Sequence, residues 1–287
     1  MSGSWLTTPA VVGAGTMGMG IAEVLAAAGY PVLVWDMSPA VMDRARKQLK
    51  ERLAARVAKG RLSAEKAEGM FERIQPVASL DELAKCELVI EAIVERLEAK
   101  QSLFAQLDEL VSPTAVLASN TSSLSITAIA GVTKRPERVL GMHFFNPAPR
   151  MPLVEVVQGA QTAPRVLKQV YGWLSGLGKV PVRVADAPGF LVNRVARSYH
   201  TEAVKLVAQQ STRKEQVDRI LEGAGFPMGP FALQDLIGID VNLAASVSVY
   251  EATFHEARFR PHYHQQRMVE QKALGRKTGK GHYEYGG

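Results

Sequence analysis

Short, almost wholly apolar runs alternate with longer amphipathic ones through the first two thirds of the chain. Residues 9–13 (PAVVG) have the continuous apolar character of a strand buried on both faces. They run directly into GAGTMG, after which Ile21, Leu25 and Ala28 recur at helical spacing and Gly29 offers a stop. PVLVWD (31–36) predicts a second strand. Ser38 and Pro39 supply an N-cap and first-turn pair for a helix striped by Met42, Ala45, Leu49, Leu53 and Val57, ending near Gly60. A shorter helix follows Ser63. LVIEAIV (88–94) predicts strand, 97–111 an amphipathic helix and TAVLAS (114–119) strand again; RVLGMHFF, LVEVV and KVPVRV predict three more strands. Strands alternating with helices in this way predict βαβ units and a mostly parallel sheet.

The period changes near DAPGF (186–190). Beyond it Leu191, Val195, Tyr199, Ala203 and Val207 predict one helical face, and TRKE (212–215) reads as a capping box opening another helix. Residues 225–230 predict a loop and 231–255 a further helix, while the glycine-rich tail has the composition of a disordered segment. The expected fold class is α/β: a Rossmann-type, mostly parallel sheet domain over 1–186, then an all-helical C-terminal domain over 187–287. The opening MSGS is set aside from this reading.

Composition narrows the function classes. At 287 residues the chain has enough length for two cores. A single cysteine, Cys86, excludes an internal disulfide and fits a reducing, cytoplasmic setting. No apolar run reaches the roughly 18 residues of a membrane span, and the N-terminus lacks a signal-peptide layout, so no membrane association is expected. The formal charge of +6 favours anionic partners. Without a basic tract interleaved with aromatics, the expectation is no nucleic acid. His262 and His264 lack further ligands nearby in sequence, so no metal site is expected.

Candidate chemistry begins at Gly13, Gly15 and Gly18, a G-x-G-x-x-G between a predicted strand and a predicted helix. Such glycines let backbone approach a pyrophosphate at a helix N-terminus. Asp36 closes the second strand 23 residues after Gly13, placed to accept from adenosine ribose hydroxyls. A carboxylate there would repel a 2′-phosphate, and Met37 and Ser38 follow it with no arginine, so the expected cofactor is NAD.

The stretch GMHFFNPAPRMPLVEVV (141–157) sets His143 and Glu155 on two strand segments joined by a proline-stiffened turn. The residues alone allow two readings. One is a satisfied core histidine with a solvated glutamate; the other is a general base with its charge partner.

The ordered motifs GAGTMG, EAIVERLEAK, SNTSSLSIT, GMHFFNP, PLVEVV, PGFLVNR, GFPMGPF and GRKTGKGHYEY span nearly the whole chain. In them the chain resembles the 3-hydroxyacyl-CoA dehydrogenase family, especially its short bacterial 3-hydroxybutyryl-CoA dehydrogenase members. The resemblance implies reversible oxidation of (S)-3-hydroxyacyl-CoA by NAD⁺ in a homodimer built through the helical domain. It makes His143 the base and Glu155 its partner. It matches Ser122 to a serine that hydrogen-bonds the substrate hydroxyl near the nicotinamide, and Asn193 to an asparagine that orients the reacting carbonyl at the domain junction. Glu95, Lys100, Asn146 and Lys277 match cofactor-contacting positions. Lys47, Lys50, Arg52, Arg56, Lys59 and Arg61 give the second helix a basic face where the family binds coenzyme A, with Lys59 aligned best to its lysine contact. Arg52 stands where the family has a contacting serine, a departure that bears on the local coenzyme A geometry.

Other readings of the same scaffold are a CoA-independent enzyme such as an L-gulonate 3-dehydrogenase, a lysine-dependent 3-hydroxyisobutyrate-type enzyme, and a non-catalytic crystallin-like relative. The HFFNP…LVEVV pair speaks against the lysine-dependent group, and intact Ser122, His143, Glu155 and Asn193 speak against lost catalysis. No enoyl-CoA hydratase domain is expected. Finally, His255, Arg258, Arg260, His262, His264 and Arg267 allow two readings, a solvated or dimer-facing basic segment, which is the preferred one, and a grip for a second carboxylate on the acyl chain, as in 3-hydroxyadipyl-CoA.

Overall fold

The computed structural model describes residues 5–286, so MSGS lies outside the described residues. They divide into two compact units, one ending at Asp186 and the other beginning at Ala187.

In the first unit, β1 (Pro9–Val12), α1 (Thr16–Ala27), β2 (Val32–Trp35), α2 (Pro39–Ala58) and α3 (Ala64–Arg73) follow the predicted order. The short edge strand β3 (Ile74–Pro76) comes next. Then β4 (Leu88–Glu91), α4 (Leu97–Leu110), β5 (Val116–Ser119), α5 (Ile126–Ala130), β6 (Val139–Phe144), β7 (Leu153–Gln158), α6 (Pro164–Gly176) and β8 (Val180–Ala185) complete it. One eight-stranded sheet has the order β3-β2-β1-β4-β5-β6-β7-β8. Every neighbouring pair is parallel except β6 with β7. Both strand faces are covered, which is why the central strands read as unbroken apolar runs. Ile21, Leu25 and Leu49 pack in one cluster with Val11, Ile90, Met142, Phe144, Val154 and Val156. By the two-residue strand period, His143 and Glu155 belong to the opposite face.

Three elements were not foreseen. β3 is only three residues long and carries Pro76, tolerated because the strand is an edge. α5 is likewise a single short turn of helix. α6 is required by geometry: β7 and β8 are parallel neighbours, and a parallel pair needs a crossover. Its buried Val166, Leu167, Val170, Trp173 and Leu174 carry the helical period. The run at 88–94 ends as a strand at Glu91, and the next residue, Ala92, lies against the glycine turn at Gly13.

The second unit is helical: α7 (Val192–Ala208), α8 (Lys214–Gly223), α9 (Pro230–Ile237), α10 (Ile239–Ala252) and α11 (Tyr263–Glu270). Four expectations need correction here. The predicted helix over 231–255 is two, bent by 101°. The break is Gly238, at φ 104°, a conformation that ends the first helix and that L side chains rarely adopt. The apolar stripe of α7 is not its buried face throughout: Leu191 and Val195 are 44% and 65% exposed. The buried positions are Arg197, His200, Thr201, Ala203 and Val204. The cap of α8 sits one residue later than TRKE implies. Gln216 Oε1 accepts from the Thr212 hydroxyl (3.0 Å) and the Arg213 amide (3.3 Å), in place of Glu215. The tail is ordered around buried Asp235, whose carboxylate accepts from the amides of His282 and Tyr283 (both 2.8 Å) and the Tyr285 hydroxyl (2.9 Å). Composition hides this because one carboxylate does the ordering. Among the described residues no single helix is long and apolar enough to cross a membrane.

Candidate active site

Two of the three motif glycines, Gly13 and Gly18, are required by the protein's own backbone and packing. Gly13 holds φ 103°, and a Cβ there would lie 2.6 Å from the Ala92 carbonyl oxygen. A Cβ on Gly18 would lie 1.8 Å from the Gly13 carbonyl oxygen, so only glycine lets α1 approach the turn. A Cβ on Gly15 would meet no protein atom within 4 Å. Gly15 is the N-cap of α1, and no side chain caps the helix or adds an acid to its first turn. Amide groups at such an end suit an anion. Asp36 Oδ2 accepts from the Ala14 amide (2.7 Å) and Oδ1 from the Ser38 amide (2.9 Å). The carboxylate therefore fastens the glycine turn to the end of β2 and stands beside it. Turn, helix end and acid together fit a dinucleotide.

A buried ionic group lies at the ends of β4 and β5. Lys100 is 1% exposed, with Nζ 2.6 Å from Glu91 Oε1 and 3.2 Å from Glu95 Oε2. Glu91, also buried, further accepts from the Ser119 hydroxyl (2.6 Å) and the Ile93 amide (2.7 Å). Glu95 Oε1 accepts from the Thr121 hydroxyl (2.6 Å), the Ser122 amide (3.0 Å) and the Ser122 hydroxyl (3.3 Å). Burial alone would raise the Glu95 carboxyl. The Lys100 ammonium and the Thr121 and Ser122 hydrogen bonds outweigh it and hold it below the usual carboxylate range. Lys100 thus faces inward and acts on Glu95, which in turn holds the Ser122 loop. Sequence reasoning missed Glu91; its only signal was an acid inside an apolar strand.

His143 and Glu155 are directly opposed in the antiparallel β6–β7 register. Nδ1 lies 2.6 Å from Glu155 Oε2, with the imidazole N–H donating to the carboxylate. Both residues are buried, and the Phe145 ring packs 4.5 Å from the imidazole. The end of β6 is fixed by the Phe144 amide donating to Asn120 Oδ1 (2.8 Å). The turn between the strands, which has a cis Asn146–Pro147 bond, is held from below by Lys179. Its Nζ donates to the carbonyls of Ala148 (2.7 Å) and Met151 (2.9 Å), and burial lowers its pKa.

A cleft of about 820 Å³ runs from Ala14–Thr16 along α2 to Asn146–Arg150. Arg44, Arg52, Arg56, Lys59, Arg61 and Arg150 line it, with Glu23 the one acid. The structure thus brings Gly15, Asn146, Lys59, Arg52, Arg56 and Arg61 to one cleft, whereas Lys47 and Lys50 are not among its walls. In the second unit, Asn193 lies in the first turn of α7, its carbonyl accepting from Arg197 Nε (3.1 Å). Lys277 pairs with Asp240 at 2.5 and 2.7 Å. The basic segment near 255–267 has its own acids: His255 with Glu251 (2.8 Å), Arg258 with Glu256 (3.7 Å) and Arg267 with Glu270 (3.6 Å). Among the described residues no three His, Cys, Asp or Glu side chains form a group that could hold a metal.

Comparison with known proteins agrees over both units. The 3-hydroxyacyl-CoA dehydrogenase NAD binding domain matches residues 8–187, and the C-terminal domain of the same family matches 189–285. The chain is 50% identical over 279 residues to the 3-hydroxyadipyl-CoA dehydrogenase of Escherichia coli K12, covering 97% of this chain and 59% of that protein. It therefore spans only about three fifths of that relative's length. It is 41% identical over 278 residues to the 3-hydroxybutyryl-CoA dehydrogenase of Clostridioides difficile, covering 96% of this chain and 98% of that one. A crystal structure of an (S)-3-hydroxybutyryl-CoA dehydrogenase from Ralstonia eutropha superimposes with a TM-score of 0.92 at 37% identity, covering 98% of this chain and all of that one.

Proposed function

Because the chain belongs to the 3-hydroxyacyl-CoA dehydrogenase family, we propose that it interconverts (S)-3-hydroxyacyl-CoA and 3-ketoacyl-CoA, with His143 as the general base. The observation that carries this is the 2.6 Å contact of His143 Nδ1 with Glu155. With Nδ1–H donating, the neutral ring holds its lone pair at Nε2, the atom that takes the hydroxyl proton as the C3–H bond breaks. Glu155 fixes that tautomer and stabilises the imidazolium as it forms. NAD⁺ supplies the hydride acceptor. Asp36 orients the adenosine end, and Glu95 sets the Ser122 loop. Lys59 and its basic neighbours take up coenzyme A phosphate charge. The test is NADH consumption with acetoacetyl-CoA; no turnover with it, or with longer 3-ketoacyl-CoA esters, would refute the activity.

The relative from E. coli is named for the 3-hydroxyadipyl ester, which favours a second reading of the acyl tail. Against it, three of the basic side chains near 255–267 already pair with acids two to four residues away. A tenfold kcat/KM advantage of 3-hydroxyadipyl-CoA over 3-hydroxyhexanoyl-CoA, about 1.4 kcal/mol, would establish the diacid reading.

Assembly and setting belong to the same proposal. In the second unit Leu191, Val195, Leu236, Val241 and Val247 present apolar surface, each being more than 40% exposed. A homodimer built through that unit would cover it, in the cytoplasm, where the single cysteine stays reduced. Sedimentation at micromolar concentration checks the dimer.

A further inference from the structure

Lys100 and Arg197 are the two lysine or arginine side chains that are buried among the described residues. Lys100 has Glu91 and Glu95 as counter-charges. Arg197, on α7 and 3% exposed, has no carboxylate partner among the described residues. Burial, with no opposite charge to offset it, pushes its pKa down to about 10 from the usual 12.5. A charge taken out of water without a partner is costly, so a buried, uncompensated cation calls for an anion from elsewhere.

The guanidinium donors can be followed one by one. Nε donates to the Asn193 carbonyl (3.1 Å), and Nη1 donates to the Asn242 carbonyl (3.0 Å) and Ser246 Oγ (2.9 Å). These bonds use three of the five N–H groups of a guanidinium, all on neutral acceptors. Nη2 makes no hydrogen bond among the described residues. The neighbouring Asn242 Nδ2 and His200 Nδ1 are unpartnered and sealed, whereas Nη2 is not sealed. The bonds of Nε and Nη1 fix the plane of the group against α7 and α10, so Nη2 is held in one direction.

Position along α7 says which anion it would meet. Arg197 is four residues beyond Asn193, about 6 Å along the helix. Its side chain leans back toward the first turn, as helical side chains do. Asn193 is the residue matched above to the one that orients the reacting carbonyl. In the ester of a six-carbon diacid, the far carboxyl carbon is three bonds from the reacting carbon, about 4 Å, and a hydrogen bond adds about 3 Å. A carbonyl held at Asn193 therefore brings a second carboxylate within reach of Nη2. The side chains of His255, Arg258 and Arg267 have no such vacancy, because Glu251, Glu256 and Glu270 already meet them.

We propose that Arg197 is the specificity-determining residue of this enzyme and receives, through Nη2, a carboxylate at the far end of the acyl chain. This rests on the 3-hydroxyacyl-CoA reading above and names its substrate class, the esters of dicarboxylic acids. A charge-assisted hydrogen bond made away from water, by a group already fixed in place, gives strong discrimination. The same burial acts against a plain acyl chain, which would leave the cation uncompensated.

The test is the ratio of kcat/KM for 3-hydroxyadipyl-CoA to that for 3-hydroxyhexanoyl-CoA. It should be tenfold or more in the wild type, and a ratio near one would overturn the proposal. Arg197→Gln can still donate to the acceptors on α10 but carries no charge, and it should lower the ratio about tenfold or more. Arg197→Lys, charged but without the planar group, should keep part of it. Equal loss with both esters in Arg197→Gln is what a purely structural tie between α7 and α10 would give, and it would overturn the proposal. So would a ratio lost in Arg258→Ala/Arg260→Ala and kept in Arg197→Gln. If Arg197→Gln does not fold, a crystal structure of the wild type with 3-hydroxyadipyl-CoA decides. The terminal carboxylate should lie within about 3.2 Å of Nη2, and a carboxylate placed elsewhere overturns the assignment. If the wild type turns over no CoA ester, the activity reading fails. Calorimetric binding of the same two esters to the wild type then decides the grip, which stands only if the diacid ester binds more tightly.

Discussion

His143 and Glu155 are direct partners across one antiparallel rung of β6 and β7, with Nδ1 and Oε2 2.6 Å apart. The register puts both side chains on one sheet face, so the pair is set by backbone hydrogen bonding and needs no loop to place it. His143→Ala should lower kcat by about 10²–10⁴-fold with little change in NADH affinity, as loss of a general base does. Glu155→Gln should lower kcat by about tenfold or more, because an amide can donate to Nδ1 and stabilise the wrong tautomer. Stopped-flow turnover near wild type in either variant would remove that residue from the mechanism.

Asp36 has two tasks. Its carboxylate accepts from the Ala14 and Ser38 amides, and it would meet the adenosine ribose. The wild type should prefer NADH to NADPH, since a 2′-phosphate would face a carboxylate. Asp36→Ala should narrow that preference chiefly by weakening NADH. Asp36→Asn keeps an acceptor but offers donors where amides already donate, so it should also lower the thermal midpoint. Equal use of both cofactors by the wild type would contradict the ribose role.

Lys100 and Glu91 are nearly solvent-free, and each is the other's counter-charge at 2.6 Å. Lys100→Met should cost about 3–5 kcal/mol, because it strands a buried carboxylate. Glu91→Gln in that background should restore part of the loss, since it removes the stranded charge. Urea midpoints for the single and double variants measure this, and an unshifted midpoint in Lys100→Met would deny the pairing. A separate consequence concerns turnover. Lys100 supports Glu95, and Glu95 holds the Ser122 amide and hydroxyl, so kcat should fall in Lys100→Met even where the protein remains folded.

Local chemistry decided how far the sequence could be read. β1, β2, β4 and β5 are short, apolar and bounded by turns, and the glycine turn and Asp36 fall between such elements. Their physics is contained within a few residues of chain. His143 and Glu155 were visible as residue types, but the contact depends on β6 and β7 being antiparallel, a property of the sheet that neither strand carries alone. Glu91 and Glu23 were invisible for the opposite reason. Each is an acid within an apolar element, and its partners, Lys100 and Arg52 with Arg56, approach from another helix. In α7 the error came from trusting apolar periodicity where the buried face is polar, with Arg197 Nη1 donating to the Asn242 carbonyl (3.0 Å) and Ser246 Oγ (2.9 Å). The ordered tail has the same origin: Asp235 gathers it from a distance of some fifty residues in the chain.

The helical unit should be acid-sensitive. His200 is 1% exposed, and burial, followed by the nearby Arg197 charge, pushes its pKa down to about 3 from the usual 6.5. Burial lowers His282 in the same direction, to about 4. A histidine held neutral in the fold takes up its proton more readily in the unfolded chain. Its stabilising effect is therefore complete above about pH 6.5 and is lost as pH falls from there toward the folded-state values. Moving from pH 7 to pH 5 should cost about 2 kcal/mol for His200 alone, at about 1.4 kcal/mol per pH unit below 6.5. His200→Gln, which has no proton to gain, should flatten this pH dependence by a similar amount even if it lowers stability at pH 7. Urea unfolding followed by circular dichroism at pH 7 and pH 5 measures both slopes. Equal pH dependence in wild type and variant would show that His200 is not held neutral by its burial.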